Sequence, residues 1–393
     1  MNLRAVLFLI LAATTVQQAY SSSVTFVQDT ISNPGQLLGA TNAITTAVPF
    51  LSISPDARHA ALGDAGVASS PDANSAYWNA AKLVFIDKKY GGTISYTPWL
   101  GKIVNDMSVS YLSGFYKISK EQAVALSIKY FDMGDISFRD QQNNPNGDFN
   151  PREFAFDGTY SRMLSSELSV GITGRYIYSN LTGAFSSSGV DTKPAHAVAA
   201  DIGVFYTKEI QNSRNSKLSL GGTISNIGSK ISYTNSQNED FLPVNLRLGG
   251  AFTTQLDPYN SLTFLLDFNK LMVPSPNAGR DTVSLLSGMF GSFTDANGGA
   301  KEELREVMTS VGLEYWYNET FAARLGYFNE SREKGNRKYM TVGLGFRKNK
   351  FGIDVAYLVP TNKREHPLAE TLRFTLLFQI KETLLDKEES VTD

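Results

Sequence analysis

From about Tyr90 to Ile380 apolar and polar residues alternate with a period of two, in runs of about ten residues. Met107, Val109 and Tyr111 alternate with Ser108 and Ser110, and Val124, Leu126, Ile128 and Tyr130 alternate with Ala125, Ser127 and Lys129. The same rhythm returns in Leu262, Phe264, Leu266, Phe268, in Val307 to Tyr315, in Phe351 to Tyr357 and in Leu372 to Phe378. Ten alternating residues are what a tilted strand needs to cross a bilayer, with one face for lipid and the other for a lumen. The runs divide into about fourteen strands, beginning near residues 90, 106, 121, 153, 167, 195, 216, 242, 261, 305, 320, 337, 350 and 370. Connections after the second, fourth, eighth, tenth and twelfth are short and most others long, as periplasmic turns and outer loops differ in a barrel. The longest outer candidates are Asp132 to Arg152, Leu181 to Pro194 and Leu271 to Glu303.

Charge tests the register. Lys129, Asp157, Arg175, Asp201, Arg247, Asp267, Glu314, Arg324, Asp354 and Arg373 all fall on the parity opposite the large apolar residues. Folding the strands about their turns brings Arg247 toward Asp267, Glu314 toward Arg324, and Asp157 toward Arg175, pairs predicted to face the lumen. Each would support register by ~0.2 to 1 kcal/mol. A soluble β-sandwich would also gather charge on one face, but that face would meet water on an open sheet. Aromatic pairs near strand ends, such as Phe115 and Tyr116 or Tyr327 and Phe328, suit the interfacial girdles of a barrel. The expected fold is thus an all-β membrane protein, a single-chain antiparallel transmembrane β-barrel over residues 90–380, with residues 381–393 a periplasmic C-terminal tail.

The stretch before the first strand has a different pattern. Arg4, the apolar run Ala5 to Ala13 and the small residues of Ala19-Tyr20-Ser21 predict a signal peptide over residues 1–21, with the mature chain beginning near Ser22; a buried N-terminal helix is the alternative. Within residues 22–89, the Ala- and Gly-rich segment SPDARHAALGDAGVASSPDANSAYWNAAK (Ser54 to Lys82) holds two Ser-Pro-Asp starts. Each sets Ser before Pro at the first position of a helix, predicting two short helices separated by Gly63 to Ser69. Their small residues allow close approach to a wall, so the segment is expected to plug or cap the lumen, with an ordinary periplasmic extension as the other reading.

Composition narrows the chemistry. A net charge of -2 without long basic runs gives phosphate backbones no landing face, which excludes a nucleic-acid binder. With no cysteine there is no disulfide, thiolate metal site or lipidated N-terminal cysteine. His59, His196 and His366 are far apart and none stands in a metal or nucleophile motif; no phosphate-binding, dinucleotide or GxSxG motif occurs. Asp132, Asp135, Asp140 and Asp148 could collect Ca²⁺ but lack the spacing of a calcium loop. No catalytic residue, cofactor or metal is assigned.

At LGDAGVASSPDANSAYWNAAKL (Leu62 to Leu83), followed by SYTPWL (Ser95 to Leu100), the chain resembles the PorV family and the related PorQ proteins, a likeness extending to the last strand LRFTLLFQI. The motif residues are Gly63, Asp64, Gly66, Pro71, Asp72, Tyr77, Trp78 and Asn79. Family members often follow Trp-Asn with Pro-Ala; here Ala80 follows Asn79, which removes a rigid turn residue and leaves the helix boundary open. The resemblance implies a fatty-acid-transporter-like barrel of the type IX secretion system in the outer membrane, in contact with lipid and lipopolysaccharide. It further implies binding and shuttling rather than catalysis: taking cargo with C-terminal signal domains from the translocon barrel to the attachment complex that contains the sortase PorU. A family link to lipopolysaccharide O-deacylation finds no residue constellation in the sequence. The alternative function on the same fold is a channel for uptake of hydrophobic compounds. Phe138, Phe149, Phe290 and Phe293 in the long loops are the candidate cargo anchors, self-packing of those loops being the competing reading.

Overall fold

In lipid every backbone N–H and C=O must be paired within the protein, so strands that alternate in this way are stable there only as a closed ring. That ring is what the computed structural model contains. It describes residues 43–99, 106–139, 143, 145–181, 183, 186–187, 190–211, 214–234, 239–276, 282–296, 298–361 and 371–380. The expected signal peptide and start near Ser22, and the tail 381–393, lie outside the described residues.

Fourteen antiparallel strands close the barrel. They are β1 Tyr90–Pro98, β2 Ser108–Lys117, β3 Gln122–Asp132, β4 Arg152–Met163, β5 Leu168–Asn180, β6 Ala195–Ile210 and β7 Ser216–Gly228. The second half comprises β8 Asn245–Asp257, β9 Asn260–Leu271, β10 Met308–Tyr317, β11 Phe321–Asn329, β12 Lys338–Lys348, β13 Phe351–Pro360 and β14 Leu372–Ile380. Each pairs with its neighbours in sequence, and β1 closes on β14 with Tyr90 opposite Ile380 and Tyr96 opposite Phe374. Strand starts fall within three residues of those read from the alternation. The connection after β6, residues 211–215, is short as well, so every even-numbered strand from β2 to β12 ends in a short turn. Three long loops carry structure of their own: a hairpin of Ile136–Arg139 with Pro145–Phe149, a short hairpin of Ser186–Ser187 with Val190–Asp191, and helices α3 Leu285–Gly291 and α4 Ala300–Arg305.

Outward positions form a continuous apolar belt, with Ile94, Leu112, Leu126, Ile172, Leu248, Phe264, Leu325, Leu344 and Leu376 all exposed. Charged residues on the opposite parity are buried: Lys129, Asp157, Arg175, Asp201, Asp267, Glu314, Arg324, Asp354 and Arg373. Adjacent aromatics split between the faces, because neighbouring strand residues point to opposite sides. Tyr116 and Tyr327 are exposed, whereas Phe115 and Phe328 are buried inward, so only one member of each pair serves the girdle.

Residues 43–86 form an inner segment: a 3-10 turn Pro49–Ser52, one-turn helices α1 Ala57–Ala60 and α2 Ser75–Trp78, and a 3-10 stretch Ala80–Phe85. Its hydrogen bonds reach inward-facing groups on many strands, including Ser113 (β2), Ser161 (β4), Asp267 (β9), Glu314 (β10), Thr341 (β12) and Thr375 (β14). Near the long loops, Val48, Phe50 and Leu51 pack with Phe131, Ala195 and Leu242; near the short turns, Leu83, Val84 and Ile86 pack with Phe115, Ala123 and Ala125. The chain therefore descends from the long-loop end to the short-turn end, where β1 begins. Ser54 and Ser70 do not cap the two helices. Asp56 caps α1, its Oδ2 accepting from His59 N at 3.0 Å, and Asn74 precedes α2 without a side-chain cap. Each helix therefore starts later than the Ser-Pro-Asp pattern predicts: at α1 the Asp after Pro is the cap, and before α2 Asp72 instead accepts from Asn74 N and Arg58. Among the described residues no helix is long and apolar enough to cross a membrane; the crossing is made by strands.

Candidate functional site

Two of the three anticipated lumen pairs meet directly. Asp157 lies opposite Arg175 in register, with Nε to Oδ1 at 2.8 Å, and Arg175 also holds Asp201 at 3.0 Å. Glu314 lies opposite Arg324 at 2.7 Å, and Arg324 continues to Asp354 at 2.8 Å. Arg58 of α1, which was not singled out in the sequence, enters this second chain: it grips Glu314 at 2.8 Å and Asp72 at 2.9 Å. One ionic path thus runs from the inner segment through three strands of the wall. Burying these ions is compensated only while every partner is present.

Arg247 and Asp267 are not an ion pair. The turn between β8 and β9 sets Arg247 opposite Asn269 and Gly249 opposite Asp267, a register offset of two residues. Asp267 Oδ2 instead accepts the backbone N–H groups of Gly66 and Val67 at 2.7 and 2.9 Å, and Arg247 lies over the Trp78 ring at 4.7 Å. Both residues hold the inner segment rather than each other.

The motif residues have matching roles. Gly63 has φ +66, and a Cβ there would stand 2.6 Å from Tyr327 N. Asp64 Oδ2 accepts from Tyr339 Oη at 2.6 Å, and a side chain on Gly66 would overlap the Trp78 ring. Half-buried Pro71 precedes Asp72, the acceptor for Arg58. Tyr77 Oη donates to Leu51 O and Ile53 O. Asn79 ends α2, its Nδ2 donates to Val67 O at 3.1 Å and Val204 O at 3.0 Å, and its Oδ1 accepts from Ala81 N. Side-chain capping by Asn79 thus fixes the helix boundary that the sequence leaves open.

Around Trp78 lies an arrangement that the sequence did not disclose. Asp56 Oδ2 is 2.8 Å from His59 Nδ1, His59 Nε2 is 2.8 Å from Ser69 Oγ, and Lys82 Nζ donates to Ser69 Oγ at 2.7 Å. The order resembles a nucleophile, base and orienting acid. Ser69 also donates to Gly66 O at 3.0 Å, Trp78 Nε1 donates to Asp56 Oδ1 at 2.7 Å, and all five side chains are buried against the wall. A hydroxyl so enclosed has every partner within the segment and no face turned to a substrate; the cluster cross-braces α1 against the strand-facing loop.

The long loops carry the other anticipated residues. Phe290 is 68% exposed and Phe138 48%, while Phe293 is 40% exposed beside Lys270. Phe149 is half-buried, its ring next to Gly183 of the following long loop. Leu286 and Leu304 add exposed apolar surface on α3 and α4 that the strand alternation does not reveal. They were hidden because loop helices obey a different period from the flanking strands. Beneath them Lys334 bonds Glu302 at 2.6 Å and Glu306 at 2.9 Å, and Lys270 bonds Glu303 and Glu306. Of the loop carboxylates, Asp132 accepts from Gly134 N and Asn150, and Asp148 accepts from Ser137; Asp140 lies outside the described residues.

The profile of the family described as "Type IX secretion system protein PorV" matches residues 38–278, which include the inner segment and the first nine strands. The chain belongs to the PorV family. It is accordingly an outer-membrane β-barrel of the type IX secretion system. None of the curated proteins matches the chain. Solved structures that resemble this PorV-family barrel include a TodX mutant monoaromatic hydrocarbon channel (11% identity, TM-score 0.49, covering 82% of this chain and 98% of that one). The toluene transporter TbuX of Ralstonia pickettii shares 12% identity at a TM-score of 0.45, over 82% of this chain and 96% of its own. A FadL homologue of Pseudomonas aeruginosa shares 11% identity at 0.46, over 86% and 99%.

Proposed function

We propose that this PorV-family barrel is a carrier rather than an enzyme or a conduit: it binds type IX cargo through the cargo's C-terminal signal domain and delivers it from the translocon barrel to the sortase-containing attachment complex. The observation that carries the reading is the exposed apolar surface of the long loops, with Phe138, Leu286, Phe290 and Leu304 at the end opposite the one where β1 begins and β14 stops. Surface aromatics and leucines that self-packing leaves uncovered suit the anchors of a protein interface. In the same reading the inner segment plugs the lumen, since ion pairs such as Arg58 with Glu314 span the space a solute would need. That polar, braced interior supports the carrier over the channel for hydrophobic compounds. The sortase PorU, its attachment partners and the translocon remain proposed contacts implied by the family.

The test is pull-down of tagged protein from cells carrying Phe290→Ala, Leu286→Ala and Phe138→Ala together. The barrel should keep its heat-modifiable migration, because exposed substitutions change stability by about 0.5 kcal/mol or less. Cargo recovery should fall about tenfold or more, the loss of a single hot spot. Cargo recovered and anchored at wild-type level would refute the loop assignment, and uptake of toluene-sized solutes by the wild type would favour the channel.

A further inference from the structure

The lipid-facing wall is not uniform. Near the short-turn end of β12, β13, β14 and β1 it sinks into an apolar groove of about 490 Å³. Register explains the hollow. Lys348 lies opposite Phe351, Phe351 opposite Phe378, Phe378 opposite Gly92, and Gly92 opposite Gly114. One circumferential row of outward positions therefore reads cation, aromatic, aromatic, and then two positions with no side chain. The next row toward the midplane is filled by Phe346, Ile353, Leu376, Ile94 and Leu112. The Phe351 and Phe378 rings, 5.4 Å apart, make one wall of the groove and Leu112 the other.

Charge sits at one end only. Lys348 lines the groove and Lys350 occupies the adjoining turn; both are exposed, and neither is ion-paired among the described residues. Arg347 next to them is directed inward and bonded to Asp354 at 2.6 Å. Short turns mark the periplasmic side of a barrel, so this end meets the inner leaflet of the outer membrane. A transmembrane helix about 10–12 Å across is too wide for such a groove, whereas an acyl chain lying along a strand is not.

The geometry points to a binding site for one anionic phospholipid of the inner leaflet, with an acyl chain in the hollow over Gly92 and the phosphate held by Lys348, Lys350 standing beside it. The two ends of the groove match the two ends of such a lipid. A charged hydrogen bond at a membrane interface separates this site from the fluid lipid around the rest of the belt. The inference stands on the outer-membrane barrel and is independent of cargo binding.

Native mass spectrometry of the detergent-extracted full chain, titrated with phosphatidylglycerol, phosphatidylethanolamine or inorganic phosphate, tests it. The wild type should retain one phosphatidylglycerol about tenfold better than phosphatidylethanolamine, whose own ammonium cancels the net charge that the two lysines attract at about 1 kcal/mol each. Lys348→Gln with Lys350→Gln should abolish that preference. Gly114→Leu should lower retention of both lipids: a Cβ there has no neighbour closer than 3.8 Å, so the side chain fits the wall while filling the hollow. Heat-modifiable migration of each variant confirms that the barrel has formed. Equal retention of the two lipids, or unchanged phosphatidylglycerol retention in both variants, would show annular lipid only and overturn the site. Displacement of the lipid by inorganic phosphate alone would overturn the acyl-chain half of the assignment.

Discussion

Arg58→Ala removes the one guanidinium, among the described residues, that joins the inner segment to the ionic chain of the wall. In the wild type Arg58 donates to Glu314 through Nε at 3.0 Å and Nη2 at 2.8 Å, to Asp72 at 2.9 Å and to Ser70 O at 3.1 Å. Both ionic partners are buried. Glu314 keeps Arg324, at 2.7 Å, but Asp72 has no second cation among its bonds. Removing one partner of a buried pair costs about 3–5 kcal/mol, chiefly through the charge left behind. At 1.4 kcal/mol per tenfold, that raises the open population of the segment more than about a hundredfold. The penalty should be largely relieved in Arg58→Met combined with Asp72→Asn, which takes out cation and orphaned anion together. Urea unfolding of the refolded barrel in detergent, followed by band shift on unheated gels, reads the barrel. Limited proteolysis over residues 43–86 reads the segment. If Arg58→Ala were no more protease-sensitive than wild type, or the double variant were worse than the single, the path from α1 to the wall would carry no stability and the reasoning would fail.

Three further outcomes follow from the same geometry. Asp267→Ala strands the N–H groups of Gly66 and Val67, at about 1–3 kcal/mol each, whereas Arg247→Ala loses Asn269 and the Trp78 face, so the unfolding midpoint should drop more for Asp267→Ala; the reverse order would restore the direct pair. Gly326→Ala drives a Cβ into the backbone of Leu62 and Gly63, costing about 1–3 kcal/mol, while Gly174→Ala, with nothing within 4 Å, should be neutral in the same urea series. In the outer loops burial pulls the Lys334 ammonium down, but Glu302 and Glu306 outweigh it and hold the group above the ordinary 10.5. A raised folded-state value stabilises fully below pH 10.5 and is lost as pH rises through the higher folded value. Protease resistance of the β9–β10 loop should therefore hold between about pH 7 and 10 and fall above it, and Lys334→Met should remove the alkaline step.

By itself the sequence determined what a period of two can encode: which residues face lipid, how many strands there are, and where the turns lie. Leu126 and Lys129 reveal their faces because parity is local, and a slip of one residue would put the charge in lipid. It also marked Gly63, Asp64, Trp78 and Asn79 as a family motif. Tertiary structure alone decided which groups meet across the lumen. Glu314 and Arg324 follow from a three-residue turn, but Arg58 reaches Glu314 across 256 residues, and no local pattern specifies that contact. The offset that separates Arg247 from Asp267 comes from where the turn between β8 and β9 closes: Gln255 pairs with Ser261 and Arg247 with Asn269, whereas a direct pair would need a turn centred one residue earlier. The Asp56, His59, Ser69 and Lys82 cluster was illegible for the same reason: its members come from the start of α1, the loop after it and the 3-10 stretch Ala80–Phe85, held together by the wall around them rather than by any spacing along the chain.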